Sequence, residues 1–210
     1  MPDQSALSSL NHFLTVLLLK LGRRDLEEVE QVSYSGVEET VYWFSDDSDS
    51  APRGKTLVNN VIAMNQGRID SDLMEEYVFL HEYGHKTVSR FWTAVFYPLV
   101  LLTAAGAMFS ALALISTPLL MLQYSTVAAV LSVLYFFPLA AVFTACFGLV
   151  FWADEGYAEI YALKKMGEEK ARKVVEEREE DRGVLGHAWH RLRYPPIKLV
   201  KGYIDLTDGY

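Results

Sequence analysis

Cysteine is almost absent: Cys146 stands alone among 210 residues. That excludes an internal disulfide framework and a metal site built on thiolates. Set in an apolar run, Cys146 reads as a small buried hydrophobe. Basic charge is also short, with 19 Lys and Arg against 27 Asp and Glu, a net charge of −8. A surface of that sign does not suit nucleic acid. The N-terminus has neither a basic leading region nor a small-x-small cleavage site, so it does not read as a cleaved signal. No repeat or low-complexity tract is visible. The largest absence is of charge altogether: the 63 residues from Phe91 to Ala153 contain no Asp, Glu, Lys or Arg.

One membrane-crossing helix needs only about 20 apolar residues, and this run divides near Pro118, Gln123 and Ser125. A first span over about 94–115 would measure roughly 33 Å, and a second over about 127–152 roughly 39 Å, at 1.5 Å per residue. Trp92, Tyr97, Tyr124 and Trp152 stand near the ends, where aromatic belts form. Lys86 and Arg90 precede the pair, Lys164, Lys165, Lys170, Arg172 and Lys173 follow it, and the connecting turn is uncharged. The positive-inside rule therefore predicts a two-span cell-membrane protein with both termini cytoplasmic. The expected organisation is 1–90, a hairpin over 91–153, and 154–210.

Leu7, Leu10, Leu14, Leu17 and Leu21, widened by Phe13 and Leu18, predict an amphipathic N-terminal helix whose stripe packs on the core, with a membrane-interfacial helix as the alternative. Residues 22–55 are charged and irregular apart from a strand at "VYWF" and an acidic turn at "SDDSDSAPRG". A second strand is expected at "KTLVNNVIAM". The segment "IDSDLMEEYVFLHEYGHKTVSR" then predicts a helix capped by Asp70 or Ser71, and "GEEKARKVVEEREEDR" a charge-rich helix with a solvated face.

The chemistry concentrates in "HEYGH". On a helix, residues four apart share a face, so His81 and His85 can turn an imidazole nitrogen each towards one metal ion. Glu82 can reach a metal-bound water and take its proton, the arrangement of a zinc peptidase. With 5 His and 16 Glu, chance placement gives this pattern in about one shuffled sequence per hundred; the plain alternative is a helix with two solvated histidines. A hydrolytic zinc site needs a third protein ligand and an open position. His12, His187 and His190 are poorly placed for it. "FWADEGYAEIYA" offers Glu155 and Glu159 on one helical face just beyond the second span, and two spans return the chain to the side it left. Glu155 is thus the expected third ligand, with Asp154 its competitor, and Glu159 the expected partner of a ligand histidine.

These residues resemble the integral-membrane zinc metallopeptidases of the HtpX and CAAX-prenyl-protease type, which carry His-Glu-x-x-His, membrane spans, and then Glu-x-x-Ala-Asp-x-x-Ala. Here the pair is "HEYGH" and "EGYAEIYA", with Glu159 at the family's aspartate. The resemblance covers roughly residues 54–204. It implies a mainly α membrane protein with a zincin-like metalloprotease core, a small β-element and a two-helix transmembrane hairpin. It further implies one Zn2+ per chain on His81, His85 and Glu155, Glu82 as general base, and a protein or peptide substrate. "RYPPIKLVKGYIDL" resembles the family's His-Pro-Pro-Leu-x-x-Arg-Ile segment, with Tyr194 for histidine and Val200 for arginine; a Tyr194 hydroxyl can donate to a developing oxyanion. "KTLVNNVIAM" corresponds to the family's strand that pairs with extended substrate. The function expected is a membrane-bound zinc endopeptidase acting at the cytoplasmic face. The alternatives are an inactive relative that binds a membrane partner and a sensor-type membrane metallopeptidase.

Overall fold

Alternation of apolar side chains builds one small sheet, to which most of the remaining structure adds helices. The computed structural model describes residues 4–46, 48, 51–88, 90–119, 125–178, 192 and 194–207. Strands β1 (Asp25–Tyr34), β2 (Val37–Ser45), β3 (Gly54–Thr56) and β4 (Ile62–Asn65) lie in the order β1-β2-β4-β3. β2 and β4 are parallel, and the other neighbours are antiparallel. Val41 and Trp43 join Ile62 and Met64 in one apolar cluster, while Tyr42 and Phe44 join Ala63 in another. Period-two alternation thus sends the two sets to opposite faces, and both faces are covered.

Three expectations for this region are corrected. The stretch read as irregular contains the ten-residue β1, whose Glu27, Glu28 and Glu30 are exposed and whose buried residue is Val32. An edge strand with one neighbour tolerates that composition. "KTLVNNVIAM" is two antiparallel strands rather than one. Leu57 N donates to Val61 O at 2.8 Å across a turn in which Asn60 has φ 63°. The N-terminal helix α1 (Gln4–Leu21) packs Leu19, with Leu18 beside it, on the Tyr42/Phe44 face. The predicted stripe of Leu10, Phe13, Leu14, Leu17 and Leu21 is exposed. Nearly every face of α1 is apolar, so spacing alone selected the wrong one.

On the opposite face lies helix α2 (Asp72–Thr87), started by Ser71, whose Oγ accepts from Met74 N at 3.2 Å. Met74, Tyr77, Val78, Phe79 and Leu80 belong to the Val41/Trp43 cluster. Polar ties fix the helix at its N-terminal end. Tyr34 donates to Glu75 at 2.6 Å, and burial together with that bond raises the tyrosine's pKa. Buried Glu76 accepts from Ser35 at 2.7 Å and from Lys170 at 2.5 Å.

Two helices are long and apolar enough to cross a membrane: α3 (Arg90–Ile115) and α4 (Thr126–Met166). Gln123 and Tyr124, between them, lie outside the described residues. The apolar windows of the two helices are only 11% and 6% buried, whereas core helices of a soluble protein would be covered. Phe96 meets Phe151, Phe109 meets Phe136, and the Phe143 ring lies over Gly106. Each pair of residue numbers sums to nearly the same value, so α3 and α4 pack antiparallel. Cys146 is exposed rather than buried, because it lies off the seam that α4 makes with α3. α4 continues without interruption past Trp152 to Met166. After it, α5 (Glu168–Arg178) buries Ala171, Val174 and Val175, so only part of it is a solvated face, and α6 (Ile197–Thr207) buries Val200 and Ile204. By packing, the chain divides into Met1–Thr87 with Tyr157–Arg182 and Pro196–Tyr210, and Val88–Gly156 with Gly183–Pro195.

Glu76→Ala is expected to cost about 1–3 kcal/mol, because it removes the two hydrogen bonds to the buried carboxylate, although exposed Ser35 and half-exposed Lys170 regain water. Thermal unfolding in detergent measures it. An unchanged transition would show that α2 is held by apolar packing alone.

Candidate metal centre

Helix α2 presents His81 and His85 one turn apart, as their spacing requires, with ring centroids 5.0 Å apart and planes at 82°. His81 is buried and His85 half-buried. On α4, Glu155 and Glu159 share a face at the same four-residue spacing, and both are buried. One ligand atom each from His81, His85 and Glu155 lies within 4.8 Å of the others. The competing Asp154 is engaged elsewhere, accepting from Trp92 Nε1 at 3.0 Å.

What lets the two helices share a site is bare backbone. A Cβ added at Gly84 would stand 2.8 Å from Ala158 Cα and 3.2 Å from Ala158 O. Ala158 and Ala162 are both fully buried. Gly84 falls between the two histidines, and Ala158 directly before Glu159, so the small residues are interleaved with the polar ones.

Glu159 Oε1 accepts from the Tyr77 hydroxyl at 2.7 Å and lies 3.9 Å from His81 Nδ1. The second distance is an electrostatic approach rather than a hydrogen bond. Tyr77 is four residues before His81 and so on its face, with ring centroids 5.8 Å apart. Glu82 is buried too but is not one of the grouped ligands. Its Oε2 is 2.9 Å, and its backbone oxygen 2.7 Å, from Thr56 Oγ1 on β3.

Two imidazoles and a carboxylate form the donor set of a divalent transition-metal site. Zinc bound at 2.0–2.2 Å from each would set the ligand atoms roughly 3.3–3.6 Å apart, below the 4.8 Å within which they lie. Charge supports the fit. Glu82, Glu155 and Glu159 are buried carboxylates, and a cation among them lowers the cost of burying their charge.

Of the other sequence candidates, Tyr194 occupies a half-buried bend ahead of α6. His12 pairs with the Tyr42 hydroxyl at 3.2 Å, and His187 and His190 lie outside the described residues. Sequence reasoning missed Tyr77, Gly84 and Thr56. The first two carry a signal in their spacing from the histidines, and Thr56 carries none.

Gly84→Ala should force the helices apart and cost about 1–3 kcal/mol, and any rise in melting temperature on adding zinc should be smaller than in the wild type. An unchanged zinc-induced rise would show that the Gly84 contact does not set the site. No family model matches the chain, and neither a curated protein nor a solved structure was found that matches it.

Proposed function

We propose that this chain is a membrane-bound, zinc-dependent endopeptidase that hydrolyses peptide bonds at the cytoplasmic face of the bilayer. The observation that carries the reading is the grouping of His81, His85 and Glu155, with Glu82 buried beside the first histidine but outside the group. A buried carboxylate that is not a ligand is what a proton-transferring base requires.

His81, His85 and Glu155 would hold one zinc ion. When bound, zinc lowers the pKa of a coordinated water towards neutrality and polarises a carbonyl oxygen. Glu82 accepts a proton from the attacking water on a carboxylate oxygen and returns it to the leaving amine. Glu159, held by Tyr77, sits on the Nδ1 side of His81 and favours the tautomer that leaves the other nitrogen for the metal. Tyr194 as oxyanion donor, a zincin-like core, and a strand that receives extended substrate rest on the HtpX-type resemblance.

The bilayer placement rests on α3 and α4. Two crossings return Lys164 and Lys165 to the side of Lys86, and the basic residues on both flanks favour the cytoplasm. The rival reading, an inactive relative that binds a membrane partner, draws on one observation. Val200, at the family's arginine position, is buried and brings no charge.

Detergent-purified protein incubated with unfolded casein separates the two. The peptidase reading expects cleavage that a chelator abolishes and zinc restores. Glu82→Gln should lower turnover by about 10²–10⁴-fold while zinc content stays that of the wild type. Turnover retained in that variant would contradict the role of Glu82, and no chelator-sensitive cleavage by the wild type would favour the inactive relative.

A further inference from the structure

We propose that strand β3 positions the Glu82 carboxylate, with Thr56 holding it and Gly54 leaving the space it occupies. This rests on the role given to Glu82 above. Residues 54 and 56 are two apart on an extended strand and face the same side, here the side of α2. Thr56 Oγ1 lies 2.7 Å from the Glu82 backbone oxygen and 2.9 Å from its Oε2, so its single proton is shared between the two acceptors and holds the carboxylate beside its own helix turn. Gly54 meets the rest of that side chain. A Cβ there would stand 2.9 Å from Glu82 Cγ, 3.2 Å from Glu82 Oε1 and 2.6 Å from Val78 Cγ1. Lys55, between them, is exposed.

The strand is itself firmly placed. Gly54 and Thr56 pair with Met64 and Ile62, both fully buried in the core. Thr56 therefore presents its hydroxyl from the sheet rather than from a loop. A glutamate side chain has three rotatable bonds, and a terminal carboxylate torsion is broad when nothing fixes it. A base displaced by even 1 Å loses much of its effect. Thr56 is thus a positioning residue, acting through Glu82.

The test uses the full chain in detergent and two readouts. In the first, Thr56→Val should lower kcat about tenfold or more, with KM and zinc content unchanged, and Thr56→Ser should restore it. In the second, thermal unfolding is compared for wild type, Thr56→Val, Glu82→Leu and the double variant. Thr56→Val should lower the melting temperature by about 2–4 °C more in the wild-type background than in the Glu82→Leu background. The unfolding cycle needs no turnover, so it decides the Thr56 contact even if the peptidase reading fails for want of chelator-sensitive cleavage. Additive unfolding shifts, or a Thr56→Val variant with wild-type kcat, would overturn the proposal.

Discussion

The contact of Gly84 with Ala158 sets everything that follows. With 2.8 Å between a hypothetical side-chain carbon and the opposing Cα, the two helix backbones leave no room for a side chain at Gly84. The polar side chains beside it can then meet across the gap. His81 and His85 lie on either side of that contact on α2, and Glu155 and Glu159 on α4. The same polypeptide with larger residues at 84 or 158 would keep its helices and lose the convergence.

Burial then raises the chemical stakes. An exposed pair of histidines beside two glutamates would be solvated and inert as a group. Here His81, Glu82, Glu155 and Glu159 are all below a tenth exposed, and three of them are acids. Protein partners meet part of the demand, through Tyr77 on Glu159 and Thr56 on Glu82. A divalent cation held by His81, His85 and Glu155 would add to that compensation, since it offsets buried negative charge. The site's polarity and the closeness of its helices are thus one design.

Much of this was legible in the chain because it is local. A four-residue spacing puts His81 with His85, and Glu155 with Glu159, on common faces whatever the rest does. The 63-residue uncharged run marked the two apolar helices, and their antiparallel return made Glu155 reachable. What failed was tertiary. β1 hides behind Glu27, Glu28 and Glu30 because an edge strand needs little burial. α1 is apolar on too many faces for spacing to choose among them. Thr56 and Gly54 are ordinary strand residues until β3 is laid beside α2, so no pattern in the sequence points from them to Glu82.

The central claim is that His81, His85 and Glu155 hold one metal ion. Zinc per chain, measured in detergent-purified wild type, Glu155→Ala and Asp154→Ala, tests it most directly. The account predicts about one zinc in the wild type and in Asp154→Ala, and loss or marked weakening in Glu155→Ala. Zinc unchanged by Glu155→Ala, or none in the wild type after zinc is supplied, would contradict it.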